Sequence, residues 1–196
     1  MSCYIIYSFS YSKKGLIDIA FSGDPIKLVN VVLTAKIEGN FNIELIHALS
    51  ETSEYEPEFF SGLIYRKTDP KITFVLFASG RITNMGQNSI DIAKNEMHKI
   101  LTLFREEKMI IGSDRLMEQR VVNLVAVYTH NKNIDTETLS YAHNIMYEPE
   151  QFPGLFMRID GLKPIGIIFH SGKIVITGGV SMDESNEMCR RILELI

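Results

Sequence analysis

Residues 55–80 read YEPEFFSGLIYRKTDPKITFVLFASG, and residues 147–172 read YEPEQFPGLFMRIDGLKPIGIIFHSG. The register between the two never slips. Tyr55 matches Tyr147, Phe60 matches Phe152, Gly62 matches Gly154, Arg66 matches Arg158, Phe77 matches Phe169 and Gly80 matches Gly172, always 92 positions apart. A repeat this long encodes one folding unit twice and predicts a pseudo-symmetric molecule. Such a molecule suits a pseudo-twofold ligand, and duplex DNA is the commonest one.

The repeat extends outward on both sides. Upstream, Val29-Asn30-Val31-Val32 echoes Val122-Asn123-Leu124-Val125 at a spacing of 93, so one residue is gained or lost in between. Downstream, Ile90, Ala93, Met97, Ile100, Leu101 and Phe104 recur at helical steps, with Asn88 or Ser89 as the expected cap. Cys189, Ile192, Leu193 and Ile196 repeat that stripe after Ser181 or Asp183. Each unit reads β-α-β-β-β-α, an α+β class. Copy one has strands near 28–38, 61–67, 71–79 and 81–86, and a short helix near 42–50 capped by Asn42. Ser79-Gly80 and Ser171-Gly172 are the expected hairpin turns. The chain divides into an N-terminal extension (1–26), repeat one (27–104), a charged connector (105–119) and repeat two (120–196).

Composition narrows the function classes. The 196 residues are enough for one core or two small fused ones. A net charge of −4 and a pI near 5.8 argue against nucleic-acid binding by bulk electrostatics, though not against a local basic strip. No apolar run approaches the ~18 residues a membrane span needs. The opening MSCYIIYSFSYSKK lacks the basic start of a secretion signal. Cys3 and Cys189 read as reduced thiols with no metal or disulfide role. The five histidines form no metal-ligand spacing. Gly166 to Gly172-Lys173 only superficially matches a phosphate loop: its spacing is one too long and Ile174 replaces the required Ser or Thr. No catalytic residue, cofactor or metal is expected.

The informative anomaly lies in the strands. In 71–79, Ile72, Phe74, Leu76 and Ala78 share one face, and Thr73, Val75, Phe77 and Ser79 the other. Copy two sets Ile168 against Ile165, Ile167 and Phe169. Both faces are largely apolar, but one long and one short helix per unit can cover only one. Either the two units close face to face as a sandwich, or the second face is left open to bind something. Residue types favour the open face. It would carry Asn30, Val32, Thr34 and Lys36 from one strand, Asn123, Val125 and Thr129 from its counterpart, and Val175 and Thr177 from the last strand. A dry core would not hold Asn30 and Asn123 at matching points, because an unpaired buried amide costs about 1–3 kcal/mol.

YEPEQFPGLFMR, IIFHSGKIVITGG and VVNLVAV together resemble the TATA-box-binding protein family over roughly residues 27–196. The resemblance implies a saddle: a curved ten-stranded antiparallel sheet with four helices on the convex face. It implies a general transcription factor whose concave face sits on the minor groove of A·T-rich double-stranded promoter DNA. Kinking by inserted apolar side chains is the known habit of this family. Carried over residue by residue, the wedges fall on Phe60 with Phe77 and Phe152 with Phe169. The central asparagines fall on Asn30 and Asn123, the groove floor on Val32, Val125, Val175 and Thr177, and the strand-end arginines on Arg66 and Arg158. Thr83 and Met85 occupy groove positions where the family usually has Val and Thr. Ser61, Asn84 and Leu162 depart from the pattern as well.

The resemblance also implies partners. Tyr147, Glu148, Pro149 and Glu150 match the family's contact with transcription factor IIB or archaeal factor B. A transcription-factor-IIA-like protein and the RNA polymerase machinery follow from the same likeness. The open face invites a homodimer when DNA is absent. Location follows the source: the nucleus of a eukaryote, the cytoplasm or nucleoid of an archaeon, or the site of viral transcription. The acidic balance is nearer the archaeal members. Thr83 and Met85 keep a second reading open, a related factor with relaxed or non-TATA recognition acting mainly as a protein-interaction platform.

Overall fold

The structure is a computed structural model that describes residues 25–196. Of the extension assigned to 1–26, all but Pro25 and Ile26 lies outside the described residues, Cys3 included. The first repeat contains β1 (Lys27–Ile37), β2 (Asn40–Phe41), α1 (Ile43–Leu49), β3 (Ser53–Glu54), β4 (Leu63–Thr68), β5 (Lys71–Leu76), β6 (Arg81–Gln87) and α2 (Ile90–Glu106). After β7 (Ile110–Ile111) come β8 (Leu116–Thr129), α3 (Thr136–Ala142), β9 (Gly154–Met157), β10 (Ile165–Phe169), β11 (Lys173–Gly179) and α4 (Met182–Leu193). The stretch read as connector, 105–119, thus holds the end of α2, the small strand β7 and the start of β8.

Nine strands form one curved antiparallel sheet in the order β3-β4-β5-β6-β1-β8-β11-β10-β9. The repeats therefore join edge to edge along β1 and β8, and the closed sandwich is ruled out. Ten strands were expected. The second repeat lacks the counterpart of β3, since 145–146 runs without ladder bonds beside β9, and β2 with β7 forms a separate small pair.

Capping fixes where the helices begin. Asn42 Oδ1 accepts from the Leu45 N–H, Ser89 Oγ from Ile92 and Ser181 Oγ from Glu184. Ser89 and Ser181 are thus the caps chosen from the alternatives. The helices lie on the convex side, α2 over β1 and β6, and α4 over β8, β10 and β11. They bury the inward rows Val31, Leu33, Ala35 and Ile37 of β1, and Leu124, Ala126 and Tyr128 of β8. Two cores result, one around Phe74, Met97 and Phe104, the other around Ile168, Ile176 and Ile192. Cys189 belongs to the second, and burial pushes its thiol up to about 12. Asn84 does sit on the core side, fully buried, with its amide donating to the Ala93 carbonyl at 2.7 Å.

One charge is buried between sheet and helix. The Glu96 side chain is 4% exposed and receives Lys67 at 2.6 Å and Lys99 at 2.7 Å. Burial alone would push its carboxyl up, but the two ammonium groups outweigh burial and hold it below its ordinary value of 4.5. A lowered folded-state value means the stabilisation is complete above about pH 4.5 and is lost as pH falls through that lower value. Glu96→Gln should cost about 1–3 kcal/mol at pH 7. Denaturant unfolding should show the gap between variant and wild type closing as pH drops below about 4.5.

Candidate nucleic-acid interface

The face opposite the helices is uncovered, and its side chains lie in rows set by strand register. An inner row of repeat one runs Arg66, Thr73, Met85, Val32 and Asn123. Its counterpart runs Arg158, Ile165, Thr177, Val125 and Asn30. An outer row runs Ile64, Val75, Thr83 and Thr34, matched by Phe156, Ile167, Val175 and Val127. The floor side chains are mostly half-buried, while the opposite faces of the same strands are fully buried. Val31 pairs with Leu124, its own repeat counterpart, so the pseudo-twofold axis passes between them.

Beside that axis the two asparagines are held alike. Gly86 and Gly178 sit at bulges with φ of 108° and 91°, a conformation that favours glycine. Each bulge turns its N–H onto the open face. Asn30 Oδ1 accepts from Gly86 N–H at 2.8 Å, and Asn123 Oδ1 accepts from Gly178 N–H at 2.8 Å. The carbonyl end of each amide is thereby used within the protein, so the donor end, Nδ2, is the one presented outward. Asn123 Nδ2 also donates to Thr177 Oγ1 at 3.3 Å, a bond Met85 cannot offer to Asn30.

Aromatic pairs stand at both ends. The Phe60 and Phe77 rings meet edge to face at 5.8 Å, and Phe152 and Phe169 at 6.1 Å. Phe60 is 45% and Phe152 42% exposed, a large apolar area to leave in water. The YEPE turns position them: Phe60 N–H donates to the Glu56 carbonyl at 2.9 Å, and Phe152 N–H to Glu148 at 3.1 Å. Both copies of the turn are thus structural. The hairpins position the other ring of each pair, with Gly80 N–H donating to the Phe77 carbonyl and Gly172 N–H to Phe169, both at 2.9 Å.

Several contributors escaped the sequence reading. Phe156, at a site held by Ile64 in repeat one, stacks on Phe152 at 5.1 Å and makes the second aromatic pair a three-ring cluster. Val127, the partner of Val175, lies on the floor too. Strand alternation from Asn123 and Val125 was the available signal for Val127. Gly62 and Gly154 make room for the rings: a Cβ at either would lie 2.6 Å from a ring carbon of Phe60 or Phe152.

Charge is sparse and peripheral. Arg158 is exposed at a row end, while Arg66 is held by Glu54 at 2.9 Å. Lys67 is committed to Glu96 on the helix side and is not a groove contact. Glu148, Pro149 and Glu150 are exposed, while Tyr147 is half-buried and accepts from Thr136 Oγ1 at 3.1 Å. Tyr141 and Met146 stand exposed nearby. Among the described residues, no group of three or more His, Cys, Asp or Glu could hold a metal, and no helix is long and apolar enough to cross a membrane.

A pseudo-twofold curved sheet, helices on one side and a bare apolar face with paired amides and paired rings, defines a saddle with one face free for a ligand. The family model described as "Transcription factor TFIID (or TATA-binding protein, TBP)" matches residues 25–106 and 118–196. A TATA-box-binding protein of Methanococcus aeolicus is 38% identical over 155 residues, 78% of this chain and 83% of that protein. One from Methanocaldococcus jannaschii is 36% identical over 173 residues, 87% and 93% of the two chains. The solved structure titled "Methanococcus jannaschii TBP" superposes with a TM-score of 0.78 at 34% identity, covering 88% of this chain and 98% of that one. The chain belongs to the TATA-box-binding protein family.

In Gly154→Ala the new Cβ would lie 2.6 Å from both the Phe152 ring and Ile167 Cγ2. Overpacking of this kind costs about 1–3 kcal/mol. Ring-proton NMR shifts of Phe152 and Phe169 should change, while those of Phe60 and Phe77 stay as in wild type.

Proposed function

We propose that this chain is a general transcription factor that grips A·T-rich promoter DNA through its bare face, kinks it with the two phenylalanine pairs and nucleates the initiation complex. The observation that carries this reading is the pair of asparagines, each with its carbonyl oxygen bonded by a glycine N–H and with amide N–H left for the open face, Asn123 having given one of its two to Thr177. The minor groove presents only acceptors at A·T pairs, whereas G·C adds the guanine amino donor. Two outward donors beside the axis match the first and not the second. Val32, Val125, Val175 and Thr177 supply flat walls that suit a groove floor without that amino group. Phe60 with Phe77 and Phe152 with Phe169 act as wedges, replacing lost base stacking with ring contact.

Most of the driving force is burial of the floor and the rings, which is how a chain of net charge −4 holds a polyanion. Arg66 and Arg158 contact phosphate at the rim. Tyr147, Glu148, Pro149 and Glu150, with exposed Tyr141 and Met146 beside them, form the surface for a factor-B-type partner. The archaeal relatives support archaeal factor B, rather than its eukaryotic counterpart, as that partner, and the cytoplasm or nucleoid as the setting. Contacts with a transcription-factor-IIA-like protein and RNA polymerase follow the same family logic. The uncovered face also supports pairing of two free copies, which DNA would displace.

Binding and bending of a TATA duplex against a control with its central A·T pairs replaced by G·C test the reading. Each unfavourable pair should cost about 1–3 kcal/mol, so two should weaken binding at least tenfold. Equal affinity for both duplexes would sink the minor-groove reading. Phe152→Ala combined with Phe169→Ala should reduce the bend, measured by energy transfer between the duplex ends. Lys94→Ala, on the solvent side of α2, should leave it unchanged.

A further inference from the structure

The floor between the axis and each wedge differs between the two halves. In repeat one, Thr34 and Thr83 face each other across β1 and β6. In repeat two, the same places hold Val127 and Val175, facing each other across β8 and β11. Both pairs lie one row outward from the asparagines and inward of a phenylalanine pair.

The two hydroxyls form a relay with a fixed direction. Thr34 is 6% exposed, and its Oγ1 donates to the Ile82 carbonyl at 3.3 Å. A hydroxyl carries one proton, so Thr34 has none left and can only accept from Thr83, whose Oγ1 donates to it at 3.2 Å. The half-buried Thr83 oxygen then presents only lone pairs to the open face. Over an A·T pair that is a mismatch, because acceptor would face acceptor with water removed. The one donor any minor groove offers is the guanine 2-amino group. Met85, two residues along the same face, is unbranched and adaptable where its counterpart Thr177 is β-branched and stiff.

We propose that the repeat-one half of the saddle accommodates a G·C pair at one off-centre step, with Thr83 Oγ1 accepting from the guanine amino group, while the repeat-two half excludes it. This rests on the minor-groove reading above. It adds a consequence: one off-centre G·C pair in an otherwise symmetric A·T site fixes which way round the saddle sits.

Inosine isolates the interaction, because an I·C pair is a G·C pair without the 2-amino group. Symmetric A·T duplexes carrying A·T, I·C or G·C at each off-centre step in turn are compared by fluorescence anisotropy at one salt concentration. For wild type, a single G·C at one step should bind within about threefold of I·C or better. The same substitution at both symmetry-related steps should bind about tenfold or more below its I·C twin, the usual range for one bad pair. Thr83→Val should bring the single G·C duplex about tenfold below I·C. Val127→Thr combined with Val175→Thr should restore binding to the doubly substituted duplex. If wild type binds the A·T duplex but falls tenfold from I·C to G·C at every off-centre step, this inference is wrong and the minor-groove reading stands. If wild type does not bind the A·T duplex, the minor-groove reading itself has failed. A Thr83→Val protein that keeps the wild-type ratio of G·C to I·C overturns the role of its hydroxyl.

Discussion

The ladder between β1 and β8 is the constraint on which the other features depend. It runs the length of β1, from Lys27 opposite Val127 to Ile37 opposite Leu116. Each repeat alone would have an edge there, and backbone groups at an edge demand partners. Pairing edge to edge satisfies them and makes the sheet continuous. It also removes the option of hiding the second face against the other repeat. With all the helices on one side, the bare face is a direct result of how the repeats join. The same ladder sets Asn30 opposite Val125 and Val32 opposite Asn123, so the centre of the face is symmetric by register.

Much of this was legible in the sequence because it rests on periodicity. The 92-residue spacing gave the two units, and the double apolar faces of 71–79 and 165–169 pointed to an open surface. The caps and the hairpin glycines follow from local pattern and the phenylalanine pairs from the repeat, while the wedge role is what the family resemblance implies. What stayed hidden depends on contacts between distant residues. The missing tenth strand is one example: 145–146 aligns with Ser53–Glu54 but forms no ladder beside β9. Lys67 is another. It follows Arg66 in the chain, but strand alternation turns it to the helix side, where Glu96 claims it across 29 positions. Phe156 has no aromatic counterpart in repeat one, where Ile64 stands, and only the fold stacks its ring on Phe152.

Thr34 and Thr83 show the limit most clearly. Alternation placed Thr34 on the open face, and the family pattern marked Thr83 as unusual. Neither says whether a hydroxyl gives or takes a hydrogen bond. That is decided by the Ile82 carbonyl, 48 positions from Thr34 in the chain. A threonine can play either part, and only the surrounding partners choose.

Symmetry is therefore kept where shape matters and broken where chemistry is read. On the proposed minor-groove reading, the rings at the ends and the amides at the axis do the same work in both halves, since unstacking and donation to acceptors are needed on either side. Between them, one half lines the floor with Val127 and Val175 and the other with a hydroxyl whose proton is already spent. A fully symmetric face could not distinguish the two directions of a near-symmetric site, however tightly it bound. Directional preference is a difference between two affinities. A single polar atom, desolvated and restricted to accepting, is enough to create one, because the cost of facing it with the wrong partner falls on one orientation only.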